Sequence, residues 1–232
     1  MTGNTISNIS MIAPPLLGAV LAYIDGMEVR FIGCHLALMV VGIGSSFFHA
    51  TLLYEMQLMD ELPMIWGSAF LIYSLASMDN APGKINAPLG IGLFLYSLIV
   101  TLVYIMVKDP IFHEAAYGLM VVTMIALSVR IMRNHDSSWW CFMAALSLYT
   151  IGFIIWNLDN HFCHHFRSAR ESMGYPLKPL MQGHAWWHLF AGAGTYLSIV
   201  FSTHARLKFL KKEPVWKASV ACKMICPERV HM

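Results

Sequence analysis

Long apolar runs alternate with short polar breaks along the whole chain. Seven runs cover 6–24, 31–53, 61–77, 88–107, 112–129, 139–158 and 184–203. Each is long enough to cross the roughly 30 Å apolar layer of a bilayer as an α-helix. The breaks carry charge or turn residues: Asp25-Gly26, Asp79-Asn80-Ala81-Pro82-Gly83, Lys108-Asp109-Pro110, and Arg130 with Arg133. Pro14-Pro15 falls inside the first run, where a membrane helix tolerates it as a kink. The second run has no acid or base from Phe31 to Phe48 except His35. The pattern predicts an all-α polytopic membrane protein, a seven-transmembrane-helix bundle over residues 1–203 followed by a basic tail, 204–232. The segment 159–183 and that tail are the long polar stretches, both expected outside the spans. No repeat of 20–50 residues stands out, and no Lys or Arg precedes Arg30 to mark a secretory signal.

Composition supports this reading and narrows it. The chain has 232 residues, 57% hydrophobic and only 12% charged, with a mean hydropathy of +0.59. Soluble domains carry about 25% charged residues. A net charge of +2, scattered along the chain, excludes a nucleic-acid binder. Five cysteines do not make a disulfide framework. With seven spans the termini lie on opposite sides. Eleven Lys and Arg fall on the side of the tail and four (Lys108, Arg167, Arg170 and Lys178) on the other. The positive-inside rule then places the tail in the cytosol and the N-terminus in the lumen or outside the cell.

Ionisable groups inside membrane helices are costly, so each one needs a reason. Ser45 and His49 sit four residues apart, on one face of the second span. Asp60 is expected to open the third. His184 and His188 open the seventh, again on one face. The second span exits on the lumenal side, and the third and seventh enter from it. All five groups are thus expected at the same end of the bundle. Three neutral imidazoles suit a catalytic zinc with one position left open. Zinc so held activates a water and polarises a carbonyl. Asp60 is then the candidate general base, and Ser45 a donor to the developing oxyanion. The constellation points to hydrolysis of an amide or ester reached from the membrane.

Blander readings stand beside this one. His35, His113 and His231 are expected to be interfacial histidines without a chemical role. Asp60-Glu61 alone could cap a helix, and Ser45 alone could pack among Gly42 and Gly44. His161, His164 and His165 also cluster, but in a polar segment with no apolar wall, and are not expected to hold a metal. Asn157, Asp159 and Asn160 read either as supports for the metal ligands or as a helix stop, with the first preferred. Lys211-Lys212 and Cys222 with Cys226 suit a positive-inside anchor, with headgroup contact or acylation as the alternative.

At these same residues the sequence resembles the alkaline ceramidase family. The likeness is carried by Asn4-Thr5-Ile6-Ser7-Asn8, by residues 42–52 (GIGSSFFHATL), by 54–63 (YEMQLMDELP), by Trp156-Asn157-Leu158-Asp159-Asn160, and by 182–188 (QGHAWWH). It is most similar to the alkaline ceramidase 3, or phytoceramidase-like, type. More distant relatives include adiponectin-receptor-like seven-helix proteins with a similar zinc triad. The resemblance implies hydrolysis of ceramide to a sphingoid base and a fatty acid in endoplasmic reticulum and Golgi membranes. It implies His49, His184 and His188 as zinc ligands, Asp60 as the water-activating acid and Ser45 as the serine beside the metal. It implies a ceramide-type lipid and the bilayer as partners, and no obligate protein partner is evident.

The family also binds calcium through an acidic segment before the first helix. This chain joins the pattern only at Asn4, with Met1 where a later Glu would stand, so the calcium-binding segment is expected to be absent. By topology Cys163 alone faces the lumen, and the resemblance places its natural partner in that segment; a plain free thiol is the alternative. Two rival functions remain open: a seven-helix lipid receptor or sensor with structural zinc, and a catalytically impaired, N-terminally truncated isoform.

Overall fold

The computed structural model describes residues 2–173 and 181–210. Within them the regular structure is helical: α1 (Thr2–Ser7), α2 (Ile9–Ile24), α3 (Val29–Thr51), α4 (Tyr54–Ala76), α5 (Ala87–Val107), α6 (Pro110–Asn134), α7 (Trp139–His161), α8 (Cys163–Ser172) and α9 (Gly183–Phe209).

Local chemistry sets several of these boundaries. Asp109 accepts a hydrogen bond from the Ile111 amide at 3.0 Å and is followed by Pro110, which has no amide to leave unsatisfied. Ser138 accepts from the Cys141 amide at 3.3 Å and starts α7. Asn86 caps α5 in the same way, accepting from the Leu89 amide at 3.3 Å. The α3 helix stops at Leu52, whose φ of 56° is left-handed. Its amide closes on the Phe48 carbonyl at 2.7 Å, and α4 restarts at Tyr54. This tight connection makes α3 and α4 antiparallel neighbours. It keeps the C-terminal end of the first against the N-terminal end of the second.

Three boundaries differ from the hydropathy reading. The third apolar run starts at 61, but α4 starts at Tyr54, so Asp60 lies about two turns inside the helix. The turns before it are polar, yet Glu55, Met56, Gln57 and Leu58 are straight-chain helix formers. The segment 159–183 is not all loop, because α7 continues to His161 and α8 follows it. The last helix continues to Phe209, so 204–209 is helix rather than tail.

Among the described residues five stretches are both long and apolar enough to cross a membrane: Gly3–Ile24, Val29–Thr51, Ala87–Val107, Pro110–Asn134 and Trp139–His161. The α4 and α9 helices, of 23 and 27 residues, have the length but a more polar composition. They are also central. The α9 helix packs on α1, α2, α3, α4 and α7, while α4 packs on α3, α5, α6 and α9. The outer helices α5 and α6 present Ile91, Phe94, Ile99, Leu102, Leu119 and Val122 outward, as a lipid-facing surface does.

Small residues let the backbones approach. A Cβ added at Gly194 would lie 2.9 Å from the Ala145 carbonyl oxygen and 2.9 Å from the Tyr149 amide nitrogen, which explains how closely α9 packs on α7. A Cβ at Gly192 would meet Met11 Cγ at 2.6 Å.

At the far end of α9, Arg206 is fully buried. Its Nε and Nη2 donate to both Glu28 carboxylate oxygens at 2.8 Å, and its Nη1 donates to the Met78 and Asn80 carbonyls at 2.6 and 2.8 Å. Arg30 adds bonds to Glu28 and to the Ser77 carbonyl. One guanidinium thus ties the α2–α3 and α4–α5 connections to α9. Arg206 is a buried structural cation, where the count of Lys and Arg along the chain treats it only as a charge.

Candidate metal centre

The other end of the bundle gathers three histidines. His49 lies in the last turn of α3, and His184 and His188 lie in the first turns of α9. One ring nitrogen from each falls within 4.8 Å of those of the other two, and among the described residues this is the one group of three or more His, Cys, Asp or Glu side chains able to share a metal ion. The ring centroids are 4.8 Å apart for His49 and His184, 4.8 Å for His49 and His188, and 4.6 Å for His184 and His188. His49 Nε2 lies 3.1 Å from His184 Nε2. Either one shared N–H or a bound cation must sit between two such lone pairs. Zinc–nitrogen bonds of about 2.0–2.1 Å in a tetrahedral site place ligand nitrogens about 3.3 Å apart. The donor set and the spacing therefore fit a metal.

The two histidines of α9 are held from behind. The His184 amide donates to Asp159 Oδ2 at 3.2 Å. Gly183 allows this approach, since a Cβ there would lie 2.8 Å from Asp159 Cβ. His188 Nδ1 lies 3.0 Å from the Asn4 carbonyl oxygen and 2.8 Å from Ser7 Oγ. Ser10 Oγ shares its one proton between the Ser7 carbonyl at 2.9 Å and the His188 carbonyl at 3.1 Å.

Ser45 and Asp60 meet across the α3–α4 contact, one turn before His49. Ser45 Oγ is buried and faces the Asp60 carboxyl, and no hydrogen bond of regular geometry satisfies it. The α4 backbone comes this close because residue 44 is glycine: a Cβ there would lie 2.6 Å from the Met59 carbonyl carbon. Pro63 is inside α4, and it has no amide to bond the Met59 carbonyl, the usual partner four residues earlier. That carbonyl turns instead toward Gly44.

The remaining histidines divide. His35 and His113 are not interfacial: they are 3% and 4% exposed. His35 packs against Tyr196 and under Gly18. His113 Nε2–H donates to the Glu61 carbonyl at 3.0 Å, and its ring stacks on Tyr117. Helix periodicity gives no sign of either burial, because both depend on which neighbouring helix covers that face. His161 Nδ1 turns back to the Asn157 carbonyl at 2.9 Å, and His161, His164 and His165 form no metal group. Asn157 Nδ2 bonds the Phe153 carbonyl within its own helix, so of the three residues 157, 159 and 160 it is Asp159 that reaches a ligand-bearing helix. Cys163 is exposed and free. His231, Lys211, Lys212, Cys222 and Cys226 lie outside the described residues.

Hydropathy and spacing do not single out Asn4, Ser7 or Ser10 as contacts of His188, because isolated serines in apolar helices are ordinary packing residues. The same holds for the cluster beside Asp60, where Glu61 accepts from Tyr104 Oη and, at 3.1 Å, from Gln57 Nε2.

Residues 2–229 match a protein family described as Ceramidase. The chain is 40% identical to alkaline ceramidase 3 of Mus musculus, an alignment spanning 98% of this chain and 87% of that protein. It is 30% identical to an alkaline ceramidase of Saccharomyces cerevisiae over 88% of this chain and 71% of that one. It is also 30% identical to an alkaline ceramidase of Arabidopsis thaliana, over 88% and 76%. Helical throughout its described residues, with a three-histidine cluster and a match over nearly its full length, the chain belongs to the ceramidase family.

Proposed function

We propose that the chain is a zinc-dependent ceramidase that cleaves the amide bond of ceramide within the membrane. Its products are a sphingoid base and a free fatty acid. The family supports the substrate, and the observation that carries the chemistry is the convergence of His49, His184 and His188.

The three imidazoles would hold the metal through ring nitrogens. Zinc bound there supplies a Lewis acid for the amide carbonyl and makes water a competent nucleophile at neutral pH. Asp60 takes the proton of the attacking water as oxygen bonds to the carbonyl carbon. The Ser45 hydroxyl, free of a regular hydrogen bond, donates toward the oxygen on which charge develops. The C–N bond then breaks, and the proton held by Asp60 passes to the leaving amine.

In this reading α4 and α9 complete a seven-span bundle. Their polar residues face the interior, where they meet partners instead of lipid. The Lys and Arg distribution favours a lumenal metal end and a cytosolic C-terminus, and the family resemblance favours endoplasmic reticulum and Golgi membranes. Lipid enters laterally, which brings its amide to the site while its chains remain among apolar side chains.

Ceramide turnover by the purified chain with added calcium, beside its His184→Ala variant, tests the assignment. Fatty acid release by the unaltered chain alone is the expected result. Equal rates at background for both would overturn it.

A further inference from the structure

His188 is held at more points than a metal ligand alone requires. Its Nδ1 lies 3.0 Å from the Asn4 carbonyl oxygen, and a carbonyl can only accept. Nδ1 must therefore carry the proton, and the other ring nitrogen, Nε2, carries the lone pair. Ser7 Oγ lies 2.8 Å from the same Nδ1 and donates its own proton to the Asn4 carbonyl at 3.0 Å. Its lone pairs are thus available to Nδ1–H. The three groups close a triangle in which every proton has an acceptor.

The backbone is fixed as well. Ser10 Oγ reaches the His188 carbonyl at 3.1 Å, and Gly192, one turn further along α9, accepts Met11 against its Cα. The Ser7 and His188 side chains are buried, 7% and 3% exposed, with Asn4 and Ser10 half-buried beside them.

We propose that the α1 turn is the orienting support of the metal centre, with the Asn4 carbonyl and Ser7 Oγ together locking the His188 tautomer that presents Nε2 to His49 and His184. Ser7 is a positioning residue: it acts only through His188. The inference rests on the metal reading above and adds to it a structural role for the first turn of the chain. The physical basis is general, since the hydrogen bond at the far nitrogen of a ligating imidazole fixes its ring orientation and raises its basicity, and removing such a partner costs about 10–100-fold in metal affinity.

The test compares Ser7→Thr with Ser7→Val in the full chain in detergent. The two side chains have nearly the same shape and differ in the hydroxyl. Zinc affinity is read by chelator competition, and the visible spectrum of the cobalt-loaded forms reports the ligand field. The expected result is near-unaltered zinc affinity for Ser7→Thr and a loss of about 10-fold or more for Ser7→Val, with a changed cobalt spectrum. Equal affinities and spectra for the two would overturn the proposal. Absence of zinc binding by the unaltered chain would instead remove the centre itself. If the β-branched pair does not fold, Ser7→Ala beside the unaltered chain reads the same difference.

Discussion

His49 Nε2 and His184 Nε2 lie 3.1 Å apart across the α3–α9 interface, although 135 positions separate them in sequence. Two imidazole nitrogens that close share either one N–H or a bound cation, and the third histidine beside them favours the cation. Replacing either one should therefore remove metal binding with little loss of fold. For His184→Ala we expect no zinc by elemental analysis, no ceramide turnover, and unaltered helicity by far-ultraviolet circular dichroism. Retained stoichiometric zinc would count against the cluster as the metal site.

Asp60→Asn separates the enzyme from a lipid sensor built on the same helices. The amide preserves size but cannot take a proton. For a general base the loss in kcat should be about 10²–10⁴-fold with zinc still bound. A sensor with structural zinc would bind lipid as before, and a variant that kept full turnover would remove Asp60 from the chemistry.

Gly44→Ala tests the packing that brings Asp60 to Ser45. The added methyl meets the α4 backbone at Met59, which cannot step aside as a flexible side chain would. Overpacking of this kind costs about 1–3 kcal/mol, and the shift of α4 carries Asp60 with it. Turnover should fall well beyond what the lost stability explains. Thermal unfolding and kinetics on the same sample would show it, and full activity would mean that the close approach at Gly44 does not position Asp60.

At the opposite end, the Glu28–Arg206 pair should stabilise the bundle in a pH-dependent way. Burial alone would raise the Glu28 pKa, but the hydrogen bonds and charges of Arg206 and Arg30 outweigh it and hold the carboxyl below its ordinary 4.5. A depressed folded-state pKa means the stabilisation is complete above the unfolded value and is lost as pH falls through the folded one. Glu28→Gln leaves the buried guanidinium without its counter-charge, which costs about 3 kcal/mol. The gap in Tm between the two proteins should be constant from pH 7 to about 5 and should close below about 4.5. A pH-independent gap would mean that the pair acts by shape alone.

Much of the site was legible along the chain because helix geometry is local. Spacing of four puts Ser45 with His49 and His184 with His188 on single faces, and counting apolar runs brings those faces to one end. Asp60 was legible as a residue but not in its setting, since hydropathy hides the turns of α4 that precede it. The buried positions of His35 and His113 and the depth of Arg206 were not legible. Burial of a lone polar side chain depends on the helix that covers it, and that helix can come from anywhere in the sequence.

The helical character, the apolar runs and the residues able to hold a metal follow from hydrophobic period and side-chain chemistry alone, and so could be read along the chain. How the helices turn toward one another emerged only from their packing. Close approach at Gly44, Gly183 and Gly194 sets those rotations. They join Asp159 to the start of α9, Asn4 and Ser7 to His188, and Glu28 to Arg206. Such contacts join segments far apart in the chain, and no periodicity within one helix encodes which partner its face will meet.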